Sequence, residues 1–248
     1  MVIWRTLHGM SPYKGRSICD SCRRQLSWYE NIPVVSFLVL RGKCRTCKKK
    51  IDWSYPLVEF VTGLLFLWWA TLGFAFFQLT QSPLTYLQPL FWLVVGTVLI
   101  IIFFADVLYG IIPDFAVIVL GVLSVVYRLV LISSGIMQGE DFVNSVWVGL
   151  GVGIFYLTLF LLTKGKGMGF GDVKLSFVLG FLLGFPEGLV GTYFGFVLGG
   201  LFAGLLLLLK KRKFGQTIPF GPFMIIGVLV GLLWGDWVWF EYLKFLGW

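Results

Sequence analysis

The chain is predicted to be an all-α polytopic membrane protein, with about seven transmembrane helices behind a small, basic, four-cysteine module at its N-terminus. Three observations predict this. Of 248 residues, 58% are hydrophobic and only 13% charged, about half the charged share of a soluble domain, and the mean hydropathy is +0.89. Apolar runs of helix length recur from Leu57 onward. Eleven of the 20 Lys and Arg, and all four Cys, fall within residues 1 to 50. Such a composition excludes disorder, a soluble enzyme and a secreted disulfide scaffold.

Seven apolar runs follow one another. They are Leu57 to Leu79, Leu84 to Ala105, Phe115 to Ser134, Phe142 to Thr163, Leu175 to Phe185, Gly188 to Leu209 and Ile218 to Gly235. About 20 residues cross a 30 Å hydrocarbon core, so the fifth run is short for a span. It is read as one that begins near Asp172, because deleting it would move the basic cluster Lys210 to Lys213 to the other side. With the basic head inside, the outer loops are Thr80 to Pro83, Gly135 to Asp141 and Pro186-Glu187, none with a Lys or Arg. Lys164, Lys166 and the Lys210 cluster then lie inside, as the positive-inside rule requires.

The two parts are residues 1 to 55, a cytoplasmic basic tetracysteine module, and residues 56 to 248, the membrane domain. In the module Cys19-x-x-Cys22 and Cys44-x-x-Cys47 have the pairing of a tetrathiolate zinc ribbon. Four thiolates fill a tetrahedral shell and leave no open position, so the zinc would be structural. Arg23, Arg45 and Lys48 beside the sulfurs favour the ionised form. The alternative is a pair of disulfides, which needs an oxidising compartment and conflicts with the inside assignment. A basic head can also signal nucleic acid; retention of positive charge beside membrane spans explains it better, and no nucleic-acid partner is expected.

Ionisable groups within membrane spans are functional candidates by default. Asp106 ends the second run; Asp114 follows in Ile112-Pro113-Asp114; Asp172 follows the Gly-rich loop from Gly165 to Gly171. The second run passes out to in and the fifth starts inside, so Asp106 and Asp172 belong at one depth. The single histidine, His8, lies in the head, so neither a His-Glu-x-x-His metal site nor a Ser-His pair can form in the spans. Two close aspartates can do hydrolysis instead: they cannot both ionise, and the charged one activates water.

The loop does not fit phosphate. No G-x-x-x-x-G-K-[ST] occurs there, and alternating glycines do not meet G-x-G-x-x-G. Gly169 and Gly171, lacking side chains, would instead let an extended peptide approach the main chain beside Asp172. Among the remaining groups, Asp114 reads as a helix N-cap, Glu59 as a first-turn anion favoured by the helix dipole, Arg128 as an interface anchor and Lys174 as a snorkelling cation. Trp68, Trp69, Trp234, Trp237 and Trp239 read as lipid-facing or interfacial.

Gly169-Phe-Gly171-Asp172 with Val173-Lys174-Leu175, and Asp106 with Ile112-Pro113-Asp114, resemble the two aspartate motifs of the bacterial type IV prepilin peptidases. This is the bifunctional leader peptidase and N-methyltransferase family of GxGD aspartic proteases. Asn31-Ile32-Pro33, Leu40-Arg41-Gly42-Lys43-Cys44, Tyr55-Pro56-Leu57-Val58-Glu59 and Ile218-Pro219-Phe220-Gly221-Pro222 resemble further signatures, and the four cysteines resemble its bifunctional members. The resemblance covers nearly the whole chain. It implies Asp106 and Asp172 as the catalytic pair and cleavage of prepilin or pseudopilin leaders after a Gly at the cytoplasmic face of the bacterial cell membrane. It also implies methylation of the new N-terminus with S-adenosylmethionine as donor. The substrates would be type IV pilins or the pseudopilins of type II secretion and competence systems, with membrane lipid as the surroundings.

The family's first span, which ends in a segment like Val2-Ile3-Trp4-Arg5, is expected to be missing, through an upstream start or a seven-span form. Two other classes compete: a transporter or channel whose Asp106 and Asp172 bind an ion, and a membrane scaffold that presents the head to partners.

Overall fold

The computed structural model describes residues 15–77, 84–210 and 218–247. The outer loop Thr80 to Pro83, the cations Lys211, Arg212 and Lys213, His8 and the segment Val2 to Arg5 lie outside the described residues. Among the described residues there is no β-strand, only two isolated bridges, and six helices are long and apolar enough to cross a membrane. The chain divides into two compact units, Met1–Ile101 and Ile102–Trp248.

The first unit holds the head, helix α1 (Val35–Val39), helix α2 (Ser54–Phe76) and the start of helix α3 (Leu84–Tyr109). The head consists of two loops built alike. In the first, Ile18 bridges Gln25, the Cys19 N–H donates to Arg24 and the Arg23 N–H donates back to Cys19. In the second, Lys43 bridges Lys50, the Cys44 N–H donates to Lys49 and the Lys48 N–H donates back to Cys44. The residue after each second cysteine is left-handed, Arg23 at φ 59° and Lys48 at φ 58°. This is a conformation that costs an L-residue roughly 1–2 kcal/mol, and both loops adopt it at the equivalent position.

Side chains fasten this head to α2. The Tyr55 hydroxyl donates to Asp20 at 2.7 Å, and the Val34 N–H donates to Glu59 at 2.8 Å. Glu59 thus satisfies a backbone amide in a turn where Val34 is itself left-handed, a more specific task than complementing the dipole of α2. Between α2 and α3, the Trp69 indole donates to the carbonyl of Pro89 at 2.9 Å.

The second unit contains the end of α3 and helices α4 (Asp114–Ser133), α5 (Gly139–Leu162), α6 (Phe170–Leu183), α7 (Glu187–Leu208) and α8 (Gly221–Phe245). Helix α6 is its core. Leu175, Ser176, Leu179, Phe181 and Leu182 are all buried, with Phe170 and Phe177 its exposed large residues, whereas the longer helices carry more exposed surface, Trp147, Ile154 and Leu208 among it, as lipid-facing helices do. Packing rests on small residues, because helices in lipid gain from close backbone approach rather than from further apolar burial. A Cβ at Gly149 would stand 3.0 Å from the Phe177 carbonyl, and one at Gly227 would stand 2.2 Å from the Gly191 carbonyl. Both seams, α5 on α6 and α7 on α8, therefore exclude any larger residue.

The seven apolar runs correspond to seven helices, and the fifth is short as expected. Its 14 residues rise about 21 Å, less than a hydrocarbon core of about 30 Å. The C-terminal carbonyls of α6 consequently end inside protein, where each unsatisfied polar group is expensive. Arg128 answers this. It is buried at 8% exposure and donates from Nε to the Phe181 carbonyl at 3.0 Å and from Nη2 to the Leu182 carbonyl at 3.1 Å. The interface-anchor reading of Arg128 is thereby corrected: its partner is a helix end far away in sequence.

Candidate active site

Asp106 lies in the last turn of α3 and Asp172 in the first turn of α6. Both sit in the second unit and both are buried, at 4% and 5% exposure. They are near enough to interact electrostatically. The structure therefore brings together two acids that the sequence placed only at a common depth.

Each carboxylate is oriented by one backbone amide. Asp172 Oδ2 accepts the Gly169 N–H at 2.9 Å. This is the reach-back half of a capping box, from the third helical position to the N-cap; Gly169 has no side chain to complete the other half. Asp106 Oδ2 accepts the Gly221 N–H at 2.8 Å. Gly221 opens α8, with Pro222 immediately inside it, so Asp106 faces the positive end of that helix. A Cβ on Gly221 would come within 2.8 Å of the same oxygen, which explains why this position holds glycine.

The remaining candidates divide. Gly171 is filled by a neighbour, since a Cβ there would meet Ile112 at 3.1 Å, whereas a Cβ on Gly169 would meet only the Asp172 carboxylate at 3.5 Å and the Gly171 amide. Asp114 does not cap α4: the N-cap is Pro113, and Asp114 instead pairs with Lys174, two residues past Asp172. Ile112 and Asp114 together thus tie the segment before α4 to the first turns of α6.

In the first unit the sulfurs of Cys19, Cys22, Cys44 and Cys47 all lie within 4.8 Å of one another, with Cys19 and Cys47 3.9 Å apart. The edge of a zinc tetrathiolate tetrahedron is about 3.8 Å for metal–sulfur bonds of about 2.3 Å, so the donor set fits a metal ion. Backbone N–H groups of Cys47 and Thr46 directed at its sulfur bring the Cys44 thiol down to about 6, against an opposing effect of burial. Beside the cluster is a cavity of about 380 Å³ lined by Asp20, Glu30, Asp52, Glu59, Arg45 and Lys49 among others.

Sequence reasoning missed Gly221 as a partner of Asp106, although the stretch Ile218 to Pro222 stood out.

A multi-pass helical membrane protein, with two buried acids at helix ends and a cluster of four thiols that could hold a metal ion, is the class that fold and site define. Two family models match the chain: the Bacterial Peptidase A24 N-terminal domain over residues 1–72 and the Type IV leader peptidase family over residues 93–209. Relatives named prepilin leader peptidase/N-methyltransferase are 35% identical in Stutzerimonas stutzeri, covering 92% of this chain and 75% of that protein. The corresponding figures are 30%, 92% and 86% in Bacillus subtilis (strain 168), and 33%, 95% and 76% in Neisseria gonorrhoeae. No solved structure matches. The chain belongs to the type IV leader peptidase family.

Proposed function

We propose that this membrane enzyme cleaves the leaders of prepilins or pseudopilins after Gly by aspartic catalysis at Asp106 and Asp172, and then N-methylates the new N-terminus. The observation that carries the peptidase reading is the shared burial of the two acids, each with one oxygen held by a backbone amide. Of two such acids one is protonated. The charged carboxylate takes a proton from water as the water oxygen attacks the scissile carbonyl, and the neutral acid gives its proton to the carbonyl oxygen. Collapse of the tetrahedral intermediate breaks the C–N bond: the carboxyl that took the water proton gives it to the departing amine, and the other carboxylate takes a proton from a gem-diol hydroxyl, which restores the pair. Asp106→Asn and Asp172→Asn in the full chain should each abolish cleavage of a prepilin peptide by the purified enzyme. Full cleavage by either variant would exclude the pair.

The cytoplasmic placement of this chemistry, at the bacterial inner membrane, is supported by the concentration of Lys and Arg in the head and in the loops that hold Lys164, Lys166 and Lys210, since such loops are retained inside. Residues 1 to 55 would then form the cytoplasmic module and residues 56 to 248 the peptidase domain. Cys19, Cys22, Cys44 and Cys47 would hold one structural zinc, and a filled thiolate shell contributes folding energy rather than a reactive position.

Methyl transfer draws on S-adenosylmethionine, which supplies a methyl group on a positively charged sulfur. The new N-terminal amine would have to be neutral to take that methyl group, and would release one proton as the donor departed as a neutral thioether. The head cavity has the volume of a small-molecule site. Its lining fits the donor: carboxylates such as Asp20 and Asp52 suit ribose hydroxyls and an ammonium, while Arg45 and Lys49 suit a carboxylate. Mass spectrometry of the cleaved product tests this activity through a single added methyl.

A further inference from the structure

Four buried side-chain polar atoms have no hydrogen-bond partner among the described residues, and two of them belong to the second unit: the Tyr156 hydroxyl and Asp172 Oδ1. Buried polar groups are paired in the great majority of cases, and each exception calls for an explanation, a catalytic role among them. Tyr156 is 1% exposed. A Cβ on Gly153, one turn before it on α5, would stand 3.2 Å from Phe177 of α6; Phe160, one turn after it, packs its ring at 5.6 Å on Phe170 of α6. Those two contacts bracket Tyr156, which therefore faces the stretch of α6 between Phe170 and Phe177, where Asp172 lies. Tyr156 and Asp172 are also close enough to interact electrostatically. On its other side the Tyr156 ring packs against Phe220 at 5.8 Å, the residue before the Gly221 amide that holds Asp106.

The other donors buried in this unit are spent. Ser124, Ser145 and Ser176 each give their hydroxyl proton to a carbonyl of their own helix, and Arg128 caps α6. Tyr156 is thus the one buried side-chain hydroxyl in the described second unit whose proton has no acceptor. What a site of two carboxylates lacks is a fixed donor for the carbonyl oxygen as negative charge develops on it.

We propose that Tyr156 is a further catalytic residue, whose hydroxyl donates a hydrogen bond to the scissile carbonyl oxygen of the substrate beside Asp172. The phenol keeps its proton throughout; the hydrogen bond shortens as the carbonyl becomes tetrahedral. This role rests on the aspartic-pair reading.

The test is Tyr156→Phe in the full-length enzyme, assayed on a prepilin peptide, with Asp106→Asn and Asp172→Asn alongside. The expected result is a fall in kcat on the order of 100-fold, the scale seen on removing one oxyanion donor, with KM within about threefold. The melting temperature should be unchanged or higher, because deleting an unpartnered buried hydroxyl removes a cost. A parental kcat in Tyr156→Phe, or activity and stability lost together, overturns the proposal and makes Tyr156 a packing residue. Cleavage by the Asn variants would instead remove the aspartic reading itself, so the two failures are distinguishable.

Discussion

Arg128 on α4 closes the end of α6 opposite to the one that carries Asp172, through two hydrogen bonds to Phe181 and Leu182. Its ring-facing side rests over Phe181, with the guanidinium carbon 5.3 Å from the ring centre. A cation at a helix C-terminus complements the dipole, and here it also satisfies carbonyls that water does not reach. Arg128→Met should destabilise the protein by about 3 kcal/mol, from two charge-assisted bonds at about 1.5 kcal/mol each. Arg128→Lys, a point charge without the planar fork, should recover part of that loss. Unfolding in detergent micelles followed by circular dichroism checks both.

Gly221→Ala places a methyl carbon where Asp106 Oδ2 now stands 2.8 Å away. The carboxylate must move, and a displacement near 1 Å costs on the order of 100-fold in rate. Peptide cleavage should fall by that factor while the yield of folded protein is retained. Parental activity would show that the amide contact to Asp106 is dispensable.

Metal content should follow the thiols. Purified enzyme is expected to carry about one zinc per chain, measurable by elemental analysis, and Cys19→Ser or Cys44→Ser should lose it. The membrane helices should remain folded in those variants, and peptide cleavage should outlast methylation.

The head should also respond to acid through Glu30. Its carboxyl lies below the usual carboxylate range because Arg24 donates to it at 2.6 Å, against opposing burial and with added support from the Ser27 N–H. The stabilisation is therefore complete above the unfolded-state value of about 4.3 and is lost as pH falls through the lower folded-state value. Retention of zinc by parent and Glu30→Gln proteins, measured as the pH is lowered below about 5, should show the parent's advantage shrinking towards zero. An advantage that stays constant down to the most acid point would contradict the ion pair's role.

The apolar runs made the number and order of helices legible, and the two Cys-x-x-Cys pairs announced the four-thiol cluster, because both signals are local. Asp106 and Asp172 were legible through scarcity: few acids stand inside the hydrophobic runs. The end of α8 was not, since its apolar run stops at Gly235 while the helix continues to Phe245. There the aromatics Trp237, Trp239 and Phe240 and the Lys244 to Glu241 pair carry it on. Arg128, Asp114 and Tyr156 were misread or overlooked for one reason. Arg128 and Asp114 acquire their meaning from partners on another helix, and Tyr156 from the helices packed around a hydroxyl without a partner; neither periodicity nor spacing encodes such surroundings.

The glycine seam between α7 and α8 gives distant positions a say in chemistry. Gly227 touches the Gly191 carbonyl so closely that one added methyl must push the two helices apart. Gly221, about 9 Å along the same helix axis, would travel with that displacement and withdraw its amide from Asp106. A substitution at Gly227, six residues from Gly221 and packed on Gly191 and Gly195, would therefore be recorded in an assay as a catalytic defect, and screens of inactive variants should recover the seam together with the site.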